Sequence, residues 1–564
     1  MSQIKLPGGS KLHPVVEHIL SSRGISDPSE LSQFMSPKLS ELPDPSLLKD
    51  MDLAVDLICD ALMQNKTFLI WGDYDVDGTT ATALLVKFFA LLNKKAEYHI
   101  PNRLSDGYGL QKDGLIRISE DFDPKATVLI TVDNGVSAHQ AVDYARNAGY
   151  TIVVTDHHTP PDLRVQAHAV INPNQEECSF PDSDLAGVGV AFYLAMGVRA
   201  GLLGRDYFCS QKMPNLKGLL DLVAVGTVAD MVQLCRVNRV LVKAGLEVMA
   251  DGGNSGLAAL CRKTNLDTGL IRSEDISFQL APKINAAGRL GNAGKAVELF
   301  LAAPGKEANA IASSLVSDNE KRKHITSSNY ANAEHEVSCS ENSHGFATTL
   351  VAGSYHVGVA GIVASNLVEK YQKPSVVLCD VGGGLFKGSA RSVPGVNLYK
   401  ALCDCKDALL GFGGHMMAGG LTLTADTVND FRVLFESAVN GQGVQAKGNT
   451  GGKYDAEIEV GELFRGVILR QLHMMEPFGQ GNPQPIFRDR GSSFSELSQI
   501  GKDKNHLRFV ITKEQSRVKG VAFGFGGEFE RCLNNMHKEI LYTPSVNFFR
   551  GKRSWQARVT GIGF

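Results

Sequence analysis

From about residue 51 to residue 200, apolar runs of strand length alternate with stretches whose apolar residues recur at helical spacing. Lys66 to Trp71, Thr127 to Val132 and Thr151 to Thr155 read as strands, and Thr79 to Leu92 and Val136 to Ala148 read as helices. This alternation predicts a doubly wound parallel sheet. A mostly helical stretch follows, including Leu216 to Val228, which leads into Asp230. From Glu307 to Glu336, Ala308, Ile311 and Leu315 fall at helical spacing and many charges come after, which predicts a long connecting helix. A second α/β unit begins near Phe346, with strands at Thr348 to Ala352 and Ser375 to Leu378. The Gly-rich stretch from Gly441 to Gly452 reads as a linker, and the short β-type runs and turns beyond it predict a small barrel. Residues 1–50 are polar and rich in Ser and Pro, with short helical patterns such as Val15 to Leu20, and read as an appended segment.

The expected fold is therefore multidomain α/β: an appended segment (1–50), a parallel-sheet domain (51–300), a connecting helix (301–345), a smaller α/β domain (346–440), a linker (441–452) and a β-barrel (453–564). A chain of 564 residues is too long for one core, in keeping with this division.

Composition changes the picture little. An apolar fraction of 43% and a charged fraction of 21% are those of an ordinary soluble protein. No apolar run approaches a membrane span and the first residues lack a signal-peptide core, so a cytoplasmic chain with no membrane partner is expected. The ten cysteines are scattered and read as reduced thiols, and Cys403-Asp404-Cys405 has no second pair at zinc spacing. The net charge of −3 gives no global sign of nucleic-acid binding, but its distribution is uneven. From Gly501 to Phe564, 12 Lys and Arg face 5 Asp and Glu, and Arg550, Lys552, Arg553 and Arg558 cluster among Phe548, Phe549 and Trp555. Cations for phosphates and rings for bases suit a single strand, although a solvated hairpin with core aromatics reads the same way.

The chemistry sits at the strand ends. The first strand runs into Gly72-Asp73-Tyr74-Asp75-Val76-Asp77-Gly78, the second into Asp133-Asn134-Gly135 and the third into Asp156-His157-His158. Ligands of parallel α/β sheets bind at the carboxyl ends of the strands, so these loops should converge. So many carboxylates cannot stay ionised together without cations, which points to a multi-metal site. Asp73-x-Asp75-x-Asp77-Gly78 begins like a calcium loop, but the twelfth position is Leu84 and a strand precedes it, so that reading fails. Carboxylates mixed with imidazole favour manganese or magnesium over structural zinc. Asp230 follows a wholly apolar stretch, either as a buried partner at a helix end or as a further metal carboxylate. The segments Gly353 to Gly361 and Gly411 to His415 join glycines with imidazoles, as an anion cradle or as glycines packed on a helix. Arg289 and Arg391 are candidate phosphate forks. The chain has no Gly-x4-Gly-Lys-Ser/Thr, which argues against an ATP-driven motor.

Together these motifs resemble the DHH phosphoesterase superfamily, and within it the single-strand-specific exonucleases of bacteria. The resemblance runs in order along almost the whole chain. Gly72 to Gly78, Thr131 to Gly135, Asp156-His157-His158, Gly226 to Met231 and Ala281 to Arg289 are similar to the family's five motifs. The segments at His356 and His415 resemble its DHHA1 domain, and Pro477 to Pro483 with the basic C-terminus is similar to its oligonucleotide-binding (OB) barrel. Ala418-Gly419-Gly420 departs from the usual Ala-Ala-Gly, away from the proposed metal ligands.

The resemblance implies two ions, Mn2+ or Mg2+. Asp75 and Asp133 would hold one, and Asp77, Asp133, His157 and Asp230 the other. Asp73 would be an outer ligand, and His158 a contact to substrate or to a ligand. Arg103, Ser389 and Arg391 would hold a 5′-terminal phosphate, with Arg289 a further phosphate contact, and His356 and His415 would grip phosphates near the scissile bond. The implied activity is release of 5′-mononucleotides from single-stranded DNA in the 5′ to 3′ direction, serving recombination and repair. A single-strand-binding protein and a RecQ-type helicase are the implied partners of a monomeric enzyme. The competing readings are a short-oligonucleotide or cyclic-dinucleotide phosphodiesterase, an inorganic pyrophosphatase, and a catalytically inactive replication scaffold. The long basic C-terminal region has no task on a small substrate, and the complete set of ligands argues against an inactive scaffold.

Overall fold

A computed structural model describes residues 11–209, 211–339, 347–443, 453–549 and 552–564, with the side chains of 548, 549, 552 and 553 outside the description. Of the predicted basic–aromatic cluster, Arg550 and the side chains of Phe548, Phe549, Lys552 and Arg553 thus lie outside the described residues, as does most of the Gly441–Gly452 linker. The chain forms two compact units. One comprises residues 43–230 and 245–446, the other 1–42, 231–244 and 447–564.

The larger unit contains two sheets. In the first, β1 (Thr67–Trp71), β2 (Ala96–His99), β3 (Thr127–Val132), β4 (Thr151–Thr155) and β5 (Ala169–Ile171) are all parallel, in the order β2-β1-β3-β4-β5. The strand order reverses between β1 and β3, and a ligand crevice opens at that switch point. β3 and β4 are buried along almost their whole length, which explains their continuous apolar runs of Val, Ile, Leu and Thr.

The helix Val76–Leu91 follows β1 and is buried on nearly every side over its first ten residues. Its threonines are accommodated because their hydroxyls donate back to their own helix. Thr79 bonds the Asp75 carbonyl at 2.6 Å, Thr80 that of Val76 at 2.8 Å, and Thr82 that of Gly78 at 2.7 Å. Gly78 is required by space, since a Cβ there would lie 2.7 Å from the Asp73 nitrogen. The carboxylate loop therefore folds back tightly on the first turn of the helix.

The second sheet has the order β6-β7-β8-β10-β9, built from β6 (Thr349–Gly353), β7 (Ser375–Asp380), β8 (Leu385–Arg391), β9 (Gly411–Gly414) and β10 (Ala418–Thr424). The expected connecting helix spans Lys306–Cys339. It packs on the helices Ala281–Arg289 and Val357–Tyr371, so it contributes a wall of this unit as well as a connection.

In the smaller unit, β12 (Phe487–Ile500), β13 (His506–Lys513), β14 (Ser516–Ala522), β16 (Lys552–Gly563) and β15 (Lys538–Phe549) form a five-stranded barrel, closed by pairing of β15 with β12, and β11 (Ala456–Glu457) extends it. The N-terminal helices Pro14–Ser22 and Pro28–Met35 share its core: Val16, Ile19, Leu20, Leu31 and Met35 cluster with Leu463, Phe487 and Tyr542. Arg239 pins the pieces together. Its guanidinium, 3.8 Å over the Phe34 ring, donates to the carbonyls of Phe34 (2.9 Å), Met474 (3.2 Å), Glu476 (3.0 Å) and Pro477 (3.4 Å). The Pro477–Pro483 motif is held by the same network, with the Asn482 amide donating to the carbonyls of Met475 and Pro477.

Arg239→Leu should leave four carbonyls short of their donor in a site only 2% exposed. The expected loss is about 3 kcal/mol or more, at about 1.5–3 kcal/mol for each hydrogen bond to a charged group less relaxation. Chaotrope unfolding followed by barrel tryptophan fluorescence (Trp555) measures it; a loss below about 1 kcal/mol would show that the network is not a stabilising pin.

Candidate metal centre and phosphate site

Each carboxylate in the crevice is aimed by the loop that carries it. Asp75 caps the helix Val76–Leu91, its carboxylate accepting from the Gly78 nitrogen at 3.0 Å. Asp77, in the first turn, accepts from the Gly187 and Val188 nitrogens at 2.7 and 2.9 Å. These are the first N–H groups of the helix Gly187–Leu203, where the dipole favours an anion. Asp133 has a left-handed backbone, φ 61°, uncommon for any residue with a side chain though more accessible to aspartate than to most. Its neighbour Asn134 holds that bend: the amide donates to the carbonyls of Trp71 (3.2 Å) and Val132 (2.8 Å) and its oxygen accepts from Leu110 N (3.0 Å). Strain of this kind collects at functional sites and is sustained by such surrounding bonds.

His157 Nε2 lies 3.2 Å from Asp133 Oδ1, 3.5 Å from Asp230 Oδ2 and 3.9 Å from Asp77 Oδ2. Asp133 Oδ1 and His157 Nε2 are both buried without a hydrogen-bond partner. Among the described residues, three overlapping groups have donor atoms within 4.8 Å of one another: Asp73, Asp75 and Asp133; Asp77, His157 and Asp230; and Asp133, His157 and His158. Asp133 and His157 each belong to two. Hard oxygens with one or two imidazoles, converging and unsatisfied, fit a pair of Mn2+ or Mg2+ ions.

Electrostatics leads to the same conclusion. Burial, and then the charges of neighbouring aspartates, push Asp73, Asp77 and Asp133 well above the usual carboxylate range. Burial and the Asp75 charge lift Asp230 to about 7. Burial and the neighbouring His158 lower His157 to about 4, so it is neutral, as a metal ligand must be. His158 differs. Burial opposes its charge, but the hydrogen bond and charge of Asp156 outweigh burial and raise it to about 9. Asp156 Oδ1 is 2.7 Å from His158 Nδ1 and also accepts from the nitrogens of His157 and His158, while Oδ2 accepts from Val136 N. Asp156 thus orients the histidine pair without belonging to a donor group itself.

Beside the carboxylates lies a patch of opposite sign. Arg103 covers the Tyr74 ring at 4.8 Å. Arg289 donates to the Gly358 carbonyl at 3.1 Å, and Arg391 to Ser389 Oγ at 3.0 Å. Burial, followed by the charges of Arg103, Arg322 and Arg391, lowers Arg289 to about 10. His356 caps the helix Val357–Tyr371 by accepting from Gly358 N at 3.1 Å, which places it next to Arg289. His415 is exposed beyond the end of β9, with its nitrogen bonded to the Ala418 carbonyl; Ala418 pairs with Arg391 across β8 and β10.

The structure thus brings together Asp73, Asp75, Asp77, Asp133, His157, His158 and Asp230, and separately Arg103, Arg289, Ser389 and Arg391 with His356 beside them; His415 lies in the turn between β9 and β10. Sequence reasoning missed three contributors. Tyr108 donates to the Asp133 carbonyl at 3.0 Å and stands 3.4 Å from His158 Nε2. Gly187 supplies a donor to Asp77, and the run Ala186-Gly187-Val188-Gly189 at the start of a helix was an available sign of it. Arg322 had no such sign.

Sheet, carboxylate loops and histidine pair define a phosphoesterase of the DHH type. Family models match as the DHH family N-terminal domain at residues 67–227, the DHHA1 domain at 344–441 and the RecJ OB domain at 454–561. The chain is 36% identical over 569 residues to the single-stranded-DNA-specific exonuclease RecJ of Dickeya dadantii, covering 98% of this chain and 96% of that one. Crystal structures of RecJ from Thermus thermophilus in complex with Mn2+ and with Mg2+ superpose with TM-scores of 0.79 and 0.71 at 26% identity, covering 98% of this chain and 76% and 74% of theirs. The chain belongs to the RecJ family of exonucleases.

Two outcomes test the centre. A Cβ at Gly187 would lie 2.7 Å from Asp133 Cβ and 2.9 Å from Asp77 Oδ2. Gly187→Ala should therefore cost about 10–100-fold in Mn2+ affinity, the usual effect of disturbing the groups that orient a metal's ligands. Calorimetric titration reads it, and unchanged affinity would remove Gly187 from the centre.

The second concerns pH. A carboxyl raised in the folded state contributes stability below its unfolded value near 4 that is lost as pH rises through the folded value, so for Asp230 the window runs from about 4 to about 7. Asp73, Asp77 and Asp133 act in the same direction. Chelator-treated protein should lose melting temperature between pH 5 and pH 8, and added Mn2+ should raise it more at pH 8. Equal Mn2+ shifts at both pH values would contradict this electrostatic account.

Proposed function

We propose that this protein is an exonuclease that removes 5′-mononucleotides from single-stranded DNA in the 5′ to 3′ direction. The observation that carries the reading is the adjacency of two unsatisfied charge clusters in a member of the RecJ family: carboxylates with imidazole, and arginines with no carboxylate in salt-bridge contact among the described residues. Asp75 and Asp133 would hold one Mn2+ or Mg2+, and Asp77, Asp133, His157 and Asp230 the other, with Asp73 outside them. When bound, the ions supply a Lewis-acid pair for activating water and offsetting charge on the leaving oxygen.

The protein's own groups do the rest. Arg103, Ser389 and Arg391 hold the terminal phosphate. Arg289 and His356, on the same side, bind the adjoining backbone, with His415 next along the sheet. His158, kept protonated by Asp156, presents a donor to a phosphate oxygen. These groups fix where the strand ends relative to the scissile bond, which makes the enzyme an exonuclease that counts from the terminus.

We assign catalysis to residues 51–300, substrate gripping to 346–440 and single-strand binding to the barrel, residues 453–564, whose core the N-terminal helices up to Met35 share, with 301–345 and 441–452 as connections. Single-stranded DNA fits the barrel, whose relatives are OB domains of RecJ. The family resemblance also implies a monomer. No described helix is long and apolar enough to cross a membrane, in keeping with a cytoplasmic enzyme. Family membership supports a role in recombination and repair, with a single-strand-binding protein and a RecQ-type helicase as the partners that present or generate the substrate.

The test is incubation of 5′-labelled and 3′-labelled single strands and duplexes with the protein in Mn2+, with products sized over time. Labelled mononucleotide should appear at once from the 5′-labelled single strand, and Asp133→Ala should abolish it. Early mononucleotide from the 3′ label, or equal cleavage of blunt duplex, would refute the assignment.

A further inference from the structure

The arginine patch is larger than one terminal phosphate needs. Burial, and then the charges of Arg103, Arg322 and Arg391, depress the basicity of Arg289, and Asp75 is the carboxylate that opposes them there. Arg391, on β8, is fixed by Ser389 and lies within electrostatic reach of Arg103. Arg322 lies on the helix Lys306–Cys339, which packs along the helix Ala281–Arg289. Its guanidinium is partly buried and held by the buried Asn319, Nη2 to Oδ1 2.7 Å, so its direction is set. Across the seam stands Lys283, whose ammonium is tied to the Gln279 carbonyl at 2.6 Å and lies within electrostatic reach of Arg322 and Lys323. Glu320 tempers both Arg322 and Lys283 from a distance, but it is exposed and its salt bridge, at 2.9 Å, goes to Lys323. A partly desolvated cation without a carboxylate in contact is costly, and a cluster of them on one seam is sustained by an anionic ligand.

Charge decides how many anions. A terminal phosphate carries about −1.5 to −2 at neutral pH and a diester −1. Asp75 is committed to a metal ion, so a terminal phosphate alone offsets at most about two of the four guanidinium charges and leaves Lys283 unmatched, and a diester brings one more negative charge to the remainder. We propose that Arg322, with Arg289 and Lys283, forms a second phosphate subsite that takes an internal phosphodiester of the single strand, separate from the terminal-phosphate site at Arg103, Ser389 and Arg391. This rests on the nuclease reading above. It makes the long helix a part of the DNA-binding surface.

Full-length wild type, Arg322→Gln, Arg322→Lys, Lys283→Gln and Arg391→Gln are assayed in Mn2+ on one single strand bearing either a 5′-phosphate or a 5′-hydroxyl, over a range of salt. Arg322→Gln should raise KM about tenfold on both substrates, with kcat within about twofold. It should also reduce the slope of log affinity against log salt by about 0.7, the value for one lost contact to a single strand. Arg322→Lys should restore the slope, and Lys283→Gln should lower it in the same way, which keeps the test open if Arg322→Gln fails to fold. The penalty of Arg391→Gln should shrink on the 5′-hydroxyl strand while that of Arg322→Gln persists. Unchanged KM and slope in folded Arg322→Gln and Lys283→Gln, a loss in kcat alone that Lys does not rescue, or a loss confined to the 5′-phosphorylated strand would each overturn the second subsite. Wild type inactive on either strand would instead sink the nuclease reading beneath it.

Discussion

Like charges held close together in a buried crevice are the constraint on which the rest of the molecule depends. Asp73, Asp77 and Asp133 are each at most 2% exposed, and burial, followed by the charges of neighbouring aspartates, Asp75 in every case, raises their proton affinity. The fold supplies the opposing restraints: a helix N-terminus for Asp77, a left-handed turn locked by Asn134 for Asp133, and three backbone donors for Asp156. The parallel sheet with its switch point between β1 and β3 brings these loops to one place, and nearly all-buried strands keep them from relaxing apart. The arginine patch repeats the problem with opposite sign. A molecule carrying two such patches side by side is complete only with cations in one and a polyanion on the other.

How much of this was legible depended on how local each signal is. β1, β3 and β4 fall at the positions that the apolar runs indicated, and the carboxylates follow directly in the chain, so both were readable. The long helix Lys306–Cys339 was also readable from its spacing. Helix starts were less so: the second helix begins at His139 rather than Val136, because Gly135 and the Asp156 bond to Val136 N hold the preceding residues in a turn. Donors contributed from far away left no local mark. Gly187 meets Asp77 from 110 positions away, and Arg322 is one of many charges along a helical pattern, with nothing local to single it out.

The N-terminal segment shows the same limit. Val16, Ile19 and Leu20 lie on one face of a short helix, a pattern that gives its amphipathicity but not its partner. Its partner is the barrel core, reached through the chain's other end, with Arg239 from the middle of the chain bonded to both. Residues 1–50 read as appended, but the described part of that segment up to residue 42 packs into the barrel unit. The Pro477–Pro483 motif, readable as a family mark, has its physical reason in the same place: it supplies the Pro477 carbonyl and the Asn482 amide to the network that ties that unit.

The discontinuous barrel unit has a consequence for how the protein is made. His13 bonds Gln471, 458 residues further along the chain. At about 5–20 residues per second, a ribosome needs roughly 20–90 s to cover that distance. Throughout that interval the helix Pro14–Ser22 carries Val16, Ile19 and Leu20 without the C-terminal part of their core, while the parallel sheet behind it can already fold. The nascent chain thus carries an apolar helix in waiting, and a holdase that binds this helix would act on this protein for a span set by the length of the catalytic region between.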